Sequence, residues 1–235
     1  MKSYLLLMMG GSGLRLGAEI PKQYIEVDGQ PIFSYILKDY NNLECIEGII
    51  IVSHEDWIGF VQEWVDRLEA DKVLGIVAGG VTRSNSVLNG LTELSKYAAE
   101  EDCVLIHDAT HPYVDREGTE GVIRAIEEYG GATLGEYQYD TVYQIDSDNF
   151  ITATLKRQEI VAGASPEGFR FGKLYKIYRD STQQELEAMT SAGAIASANG
   201  IRMKVVPCNM LNLKITYKND LNVFQKTARK YFFEE

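Results

Sequence analysis

Tyr4-Leu5-Leu6-Leu7-Met8-Met9-Gly10-Gly11-Ser12-Gly13-Leu14-Arg15-Leu16-Gly17, followed closely by Pro21-Lys22-Gln23, is the stretch around which the chain is organised. The apolar run shows no alternation and is far too short to cross a bilayer, so it predicts a strand buried on both faces. Gly10, Gly11 and Gly13 permit turns and close approaches that a side chain would block, and their N–H groups can converge on an anion. Arg15 adds a forked permanent charge and Lys22 a mobile one. Together they predict a polyphosphate cradle at a strand end. A glycine turn with two solvated cations is the plain alternative, and glycine loops alone are weak signals. Neither common fingerprint fits: no Gly-Lys-Ser/Thr is present, and the last glycine falls one residue late for a dinucleotide loop.

Moving outward, 235 residues with 45% hydrophobic content allow a sizeable core and predict one α/β domain. No segment is long and apolar enough to span a membrane, and no signal-type leader opens the chain, so a cytoplasmic protein without membrane partners is expected. Cys45, Cys103 and Cys208 are odd in number and widely spaced, which predicts buried thiols and neither a disulfide framework nor a metal knuckle. A net charge of −11 argues against nucleic acid as a partner. In so acidic a chain, clustered cations are correspondingly more informative.

The remaining patterning alternates buried strands with amphipathic helices. Gln30-Pro31-Ile32 opens a helix carrying Phe33, Tyr35, Ile36 and Tyr40, Gly48–Val52 is a strand, and Ile58, Val61, Trp64, Val65 and Leu68 share a helical face. Such alternation predicts parallel pairing with right-handed crossovers. Val73–Val77 leads into Ala78-Gly79-Gly80-Val81-Thr82-Arg83-Ser84-Asn85-Ser86-Val87, where a strand end meets a helix that Thr82 or Ser84 can cap. A fourth strand ends in His107-Asp108-Ala109-Thr110-His111-Pro112, and an acid at such an end suits magnesium held against phosphates. His107, beside a buried strand, is read as a structural group. From Ala132 to Phe171 short strands are expected, with a turn at Asp146–Asn149; helices follow at 169–179 and 183–199. Lys214, between Leu213 and Ile215 in a predicted apolar strand, needs an anionic partner or must snorkel. Asn219 or Asp220 is expected to cap a final helix.

These motifs, in this order over nearly the whole chain, resemble the cytidylyltransferases that make CDP-methylerythritol or CDP-ribitol. The resemblance rests on Gly10-Gly11-x-Gly13-x-Arg15 with Pro21-Lys22-Gln23, on Gly79-Gly80-x-x-Arg83-x-x-Ser86-Val87, on His107-Asp108-Ala109, on Asp140-Thr141, on Arg157 with Ser165-Pro166, and on Asn212-x-Lys214-Ile215-Thr216. It implies a Rossmann-like nucleotidyltransferase domain whose mostly parallel sheet carries a β-hairpin dimerisation arm at about 137–163, joining two copies. It further implies CTP and a phosphorylated polyol or sugar as substrates, with Mg2+ as cofactor. Arg15, Lys22 and Lys214 would be catalytic. Met8, Met9, Gly10, Gly11, Ser12, Gly13, Gly79, Gly80, Arg83, Ser86 and Asp108 would hold the nucleotide, the glycine-arginine turn against the base. Asp108, His111, Asp140, Arg157 and Ser165 would hold the acceptor, and Asp108 would meet the metal.

The chain departs from the family pattern at several positions. His111 stands where an arginine is expected; a histidine there serves either as a neutral donor or as a cation in mild acid, which would make acceptor binding weaker or pH-dependent. Glu167 replaces a glutamine, Met8-Met9 replace small residues, and Thr190-Ser191-Ala192 lacks an expected acid. Gly163 and Glu55-Asp56-Trp57 lean the acceptor toward ribitol 5-phosphate, with 2-C-methyl-D-erythritol 4-phosphate as the alternative. A nucleotide-binding regulator without catalysis is the rival from another class, and retention of Arg15, Lys22, Asp108 and Lys214 speaks against it.

Overall fold

The computed structural model describes residues 1–11, 20–188 and 191–233. The elements in chain order are β1 (Ser3–Met9), β2 (Glu26–Val27), β3 (Gln30–Pro31), α1 (Ile32–Asn41), β4 (Gly48–Ser53), α2 (Ile58–Arg67), β5 (Val73–Ala78), α3 (Arg83–Leu94), β6 (Cys103–Asp108), α4 (Arg116–Tyr129), β7 (Gly130–Tyr137), β8 (Val142–Ile145), β9 (Ile151–Leu155), β10 (Val161–Arg170), α5 (Phe171–Asp180), α6 (Gln183–Ala188), α7 (Ala192–Ala198), β11 (Arg202–Pro207) and α8 (Lys218–Phe232). Among the described residues the main sheet runs β11-β7-β10-β6-β1-β4-β5. β10 alone runs against its neighbours, so the sheet is mostly parallel, as the strand-helix alternation predicts.

The unbroken apolar run of β1 is explained by its place between β4 and β6, where Leu5, Leu6 and Leu7 are fully buried. Leu5 and Leu7 face one apolar layer, filled by α1, α2 and α4, while Leu6 and Met8 face the other, filled by α3, α5 and α7. Successive strand residues thus feed opposite cores. A smaller cluster around Tyr35, Tyr113, Ile215 and Phe224 fastens α8 to α1. No helix among the described residues is long and apolar enough to cross a membrane. All three cysteines are free; Cys103 is buried, Cys45 and Cys208 only partly.

Local chemistry sets the helix ends. Thr82 Oγ1 accepts from Asn85 N at 3.1 Å and starts α3, and the Asp115 carboxylate accepts from Gly118 N at 2.8 Å to start α4. Gly130, at φ +89°, ends α4 in the left-handed conformation that glycine adopts freely. The cap of α8 lies earlier than sequence suggests. Tyr217 occupies the cap position, and Asp220, inside the first turn, reaches back to accept from the N–H groups of Thr216 at 2.9 Å and Tyr217 at 2.7 Å.

The 132–171 stretch divides in two. β7 and β10 enter the main sheet through Ala132, Leu134, Ala164 and Phe169, all buried. Between them β8 and β9 pair only with each other, around the expected turn, where Asn149 has φ +66°. The helix expected from 169 begins at Phe171, because Phe169 and Arg170 still pair with β6. A strand is also absent, among the described residues, where one was expected through Lys214: residues 208–217 form an extended segment without ladder partners. Fully buried Ile215 pins it, donating its N–H to Thr110 O at 2.8 Å.

Candidate functional site

β1, β4, β5 and β6 run parallel, and their carboxyl ends open onto one cleft, the position that open α/β sheets reserve for ligands. The first turn is braced from beneath. Gln23 Nε2 donates to Met9 O and to Gly11 O, both at 2.7 Å, and the Tyr24 hydroxyl contacts Met9 O at 3.2 Å and Ser53 Oγ at 2.9 Å. Trp57 stacks on Tyr24 with ring centroids 4.4 Å apart. The second turn leans on the first, backbone to backbone: a Cβ on Gly79 would lie 3.2 Å from Gly10 Cα. That closeness is a physical reason for glycine at both positions. Ser86 Oγ accepts from Gly80 N and donates to Thr82 O, each at 2.9 Å, holding the second turn open.

The cleft encloses about 740 Å³ and is lined by Met8, Met9, Gly10, Gly11, Lys22, Gln23, His54, Gly80, Val81, Thr82, Arg83, Ser86, Asp108, Ala109, Thr110 and Lys214. Lys22 and Lys214, 192 residues apart in sequence, therefore meet at one opening. Lys22 is buried and its ammonium donates to Ile215 O. Lys214 Nζ lies 3.3 Å from Asp108 Oδ2, which supplies the anionic partner the sequence demands. Arg83 Nη2 is 3.0 Å from Asp108 Oδ1 and 3.4 Å from Glu167 Oε1. Burial by itself raises the Asp108 pKa, but Arg83 and then Lys214 outweigh it and draw the carboxyl down to about 2. Asp108 thus stays ionised throughout the working range.

Ser12, Gly13 and Arg15 lie outside the described residues, as does Thr190. The acceptor residues are dispersed in a single chain. Ser165 is buried where β10 kinks, while Asp140 and Arg157 are exposed on the excursion between β7 and β10 and do not line the cleft. There the Arg157 guanidinium donates to Tyr139 O. His111 is buried, and burial, then His107 and Lys214, lower its pKa to about 3. The alternative in which His111 charges in mild acid is therefore corrected: it remains neutral, because a second charge beside Lys214 in a buried place is too costly. His107 is structural, as read. Its Nε2–H donates to His111 O at 2.8 Å, its Nδ1 accepts from the Tyr40 hydroxyl at 2.9 Å, and burial lowers its pKa to about 4.

These two histidines give stability a pH dependence. The unfolded chain takes up protons near pH 6.5 that the folded chain refuses until about pH 4 and 3, so stability rises with pH across that window and levels off above it. Glu167, whose pKa burial raises, offsets part of the effect by taking up its proton in the folded state. The two histidines together account for an expected loss of about 4 kcal/mol between pH 7 and pH 5, before that offset. Urea midpoints at the two pH values measure it; equal midpoints would show that the histidines charge freely in the fold.

Sequence reading assigned no role to His54 or Thr110, and none to Gln23 beyond its place in the Pro21-Lys22-Gln23 motif. His54 follows directly on β4, and a polar residue at the carboxyl end of a parallel strand was the available signal. Gln23 and Thr110 act through backbone contacts that carry no pattern in sequence.

The profile of the family described as 2-C-methyl-D-erythritol 4-phosphate cytidylyltransferase matches residues 4–229. The chain is 32% identical over 216 residues to the 2-C-methyl-D-erythritol 4-phosphate cytidylyltransferase of Clostridium botulinum, covering 92% of this chain and 94% of that protein. It is 26% identical over 221 residues to a ribitol-5-phosphate cytidylyltransferase of Streptococcus agalactiae, covering 94% and 92%. Among solved structures, the 2-C-methyl-D-erythritol 4-phosphate cytidylyltransferase of Francisella tularensis superposes with a TM-score of 0.78 at 26% identity, covering 96% of this chain and all of that one.

Proposed function

Since the chain belongs to the 2-C-methyl-D-erythritol 4-phosphate cytidylyltransferase family, and is a nucleotidyltransferase of cytidylyltransferase type, we propose that it transfers CMP from CTP to 2-C-methyl-D-erythritol 4-phosphate. The observation that carries this reading is the convergence of Lys22 and Lys214 on a cleft walled by two glycine turns. An oxygen of the acceptor phosphate attacks the α-phosphorus, the bond from that phosphorus to the β-phosphate bridging oxygen breaks, and pyrophosphate leaves with its electron pair. Both reactants are anions, so catalysis is positioning and charge neutralisation. Lys22 and Lys214, with Arg15, balance the charge that builds on the phosphates. Arg83 and the Gly79–Ser86 turn seat the nucleoside, and Met8 to Gly13 line its phosphate path.

Asp108 offers a carboxylate at the cleft mouth, and no group of three or more metal-ligating side chains occurs among the described residues. That donor set fits a magnesium ion bound by one carboxylate and mainly by substrate phosphates and water, which would supply further neutralisation of the triphosphate. For the acceptor, Arg157, Ser165, Asp140 and His111 are the proposed holders of the phosphate and hydroxyls. Arg157 and Asp140 stand away from the cleft of their own chain, and the excursion exposes Tyr139, Ile145, Phe150 and Ile151. A second copy covering this apolar hairpin would protect it and bring Arg157 to the partner's site.

The comparisons shift the acceptor from the ribitol lean to methylerythritol. Both classes cover this chain equally, but the methylerythritol relatives are more alike, at 30–32% against 26%. Trp57, part of the ribitol lean, serves packing against Tyr24. Pyrophosphate release from CTP with 2-C-methyl-D-erythritol 4-phosphate and with ribitol 5-phosphate tests the choice. Faster turnover of the former is expected, faster turnover of the latter restores the other reading, and CTP binding without release from any polyol phosphate identifies a regulator.

A further inference from the structure

Glu167 does not line the cleft itself but stands against Arg83, which does, and the reaction as derived does not use it. β10 skips two residues at its kink, pairing Ala164 with Leu134 and Glu167 with Thr133, and on its other edge Glu167 lies opposite Ile106. Directly opposed residues share a sheet face, and Asp108 lies two residues beyond Ile106, so both carboxylates emerge on the face packed by α3, α5 and α7. The Arg83 guanidinium enters from α3 between them. Both oxygens of Glu167 are committed: Oε1 to Arg83, and Oε2 to Gly193 N in the first turn of α7 at 2.9 Å. Beside them the buried Tyr178 hydroxyl has no hydrogen-bond partner among the described residues, which leaves Glu167 and Asp108 as the groups that orient Arg83.

We propose that Glu167 is a positioning residue that holds Arg83 open toward the nucleotide, so that its charge sets affinity for CTP and leaves the acceptor's affinity alone. This rests on the reading that the cleft takes CTP. Without Glu167 the guanidinium has Asp108 as its one remaining carboxylate and collapses onto it. A glutamine cannot replace it: one amide oxygen cannot serve both Gly193 N and Arg83, and the amide NH2 then faces a donor. Gly193 N is fixed backbone, so Arg83 is the partner that lets go.

Proton uptake by Glu167 has the same effect as the glutamine substitution. The groups facing it are Arg83 from α3, Asp108 from β6 with Lys214 and His111 beside it, and Tyr178 from α5. Asp108, at about 2, and His111, at about 3, keep one charge state in mild acid, whereas burial raises the Glu167 pKa above the ordinary carboxylate value.

The test is calorimetric titration with CTP, without acceptor, of the wild type and Glu167→Gln, together with KM for the acceptor. At about pH 8 the variant is expected to bind CTP about tenfold more weakly, the loss of one charge-assisted hydrogen bond, with the acceptor KM unchanged within twofold. As pH falls and Glu167 takes up its proton, the two CTP affinities converge; protonation of CTP itself cancels in their ratio. Equal CTP affinity at pH 8, a constant ratio across pH, or a change in acceptor KM would each overturn the inference. Should Glu167→Gln not fold, the ratio of wild type to Arg83→Ala across the same pH range decides, because only the wild type then carries the limb. Absence of CTP binding in the wild type itself would instead overturn the functional reading.

Discussion

Lys22→Ala is expected to lower kcat/KM for CTP about a thousandfold while leaving the unfolding midpoint within about 1 kcal/mol of the wild type. The ammonium is buried and donates to Ile215 O, in the segment 208–217. An ammonium is a compact charge whose three N–H donors suit phosphate oxygens. In a water-poor site such a donor gains strength as negative charge builds on the phosphates, which places most of the loss in kcat and less in CTP affinity. Lys22→Arg should not rescue, because a planar guanidinium cannot occupy the space of a compact ammonium behind Gln23. Pyrophosphate release and calorimetric CTP affinity, measured on both variants, separate the two contributions. A variant that turns over within tenfold of the wild type would remove Lys22 from the mechanism.

Much of this site is legible in sequence because parallel sheets gather strand ends. The apolar runs of β1, β4, β5 and β6 are unbroken, each ends at a turn, and their polar ends must lie side by side. From that, Gly10, Gly79, Arg83 and Asp108 could be placed in one cleft without any coordinates. Lys214 was legible as a lysine in need of an acid, although the strand assigned to it is an unpaired segment. Alternation between Leu213, Lys214 and Ile215 persists there because buried Ile215 alone fixes the orientation. What sequence hides is pairing at a distance. β7 reads Gly-Gly-Ala-Thr-Leu-Gly-Glu-Tyr, poor in branched residues, so its place inside the main sheet was not apparent. Its small residues make sense only in the packed fold, where a Cβ on Gly131 would lie 2.6 Å from Met203 Sδ and one on Gly135 2.7 Å from Val205 Cγ1. The choice between a neutral and a charged His111 was equally hidden, since it depends on burial and on His107 and Lys214 together. Glu167 reads in sequence only as a replacement for a glutamine; its bonds to Arg83 and Gly193 turn it toward the nucleotide side.

Asp108→Asn should separate binding from catalysis in the opposite sense to Lys22→Ala. In the free protein this carboxylate holds two cations, Arg83 by one oxygen and Lys214 by the other. Removing its charge frees Lys214 and leaves Arg83 with Glu167 alone, so metal-free CTP is expected to bind several-fold more tightly, as the field at the site becomes more positive. Turnover is expected to fall by about a hundredfold or more, since Lys214 loses the partner that fixes it and the amide is a poor ligand for a hard cation. Tighter binding with slower chemistry is the signature of a group that opposes ground-state binding of the nucleotide while supporting the reaction. Stability should fall by about 2 kcal/mol, because Arg83 keeps Glu167 while Lys214 turns to water. The pH profile supplies an independent check. A carboxylate held down to about 2 contributes its stabilisation fully above pH 4 and loses it only as pH falls through the folded value, so wild-type turnover should show no acid limb from Asp108 between pH 4 and 8. Weaker metal-free CTP binding in Asp108→Asn would mean that the carboxylate itself contacts the nucleotide as an acceptor, for instance at a ribose hydroxyl, and that the two cations are held by something else.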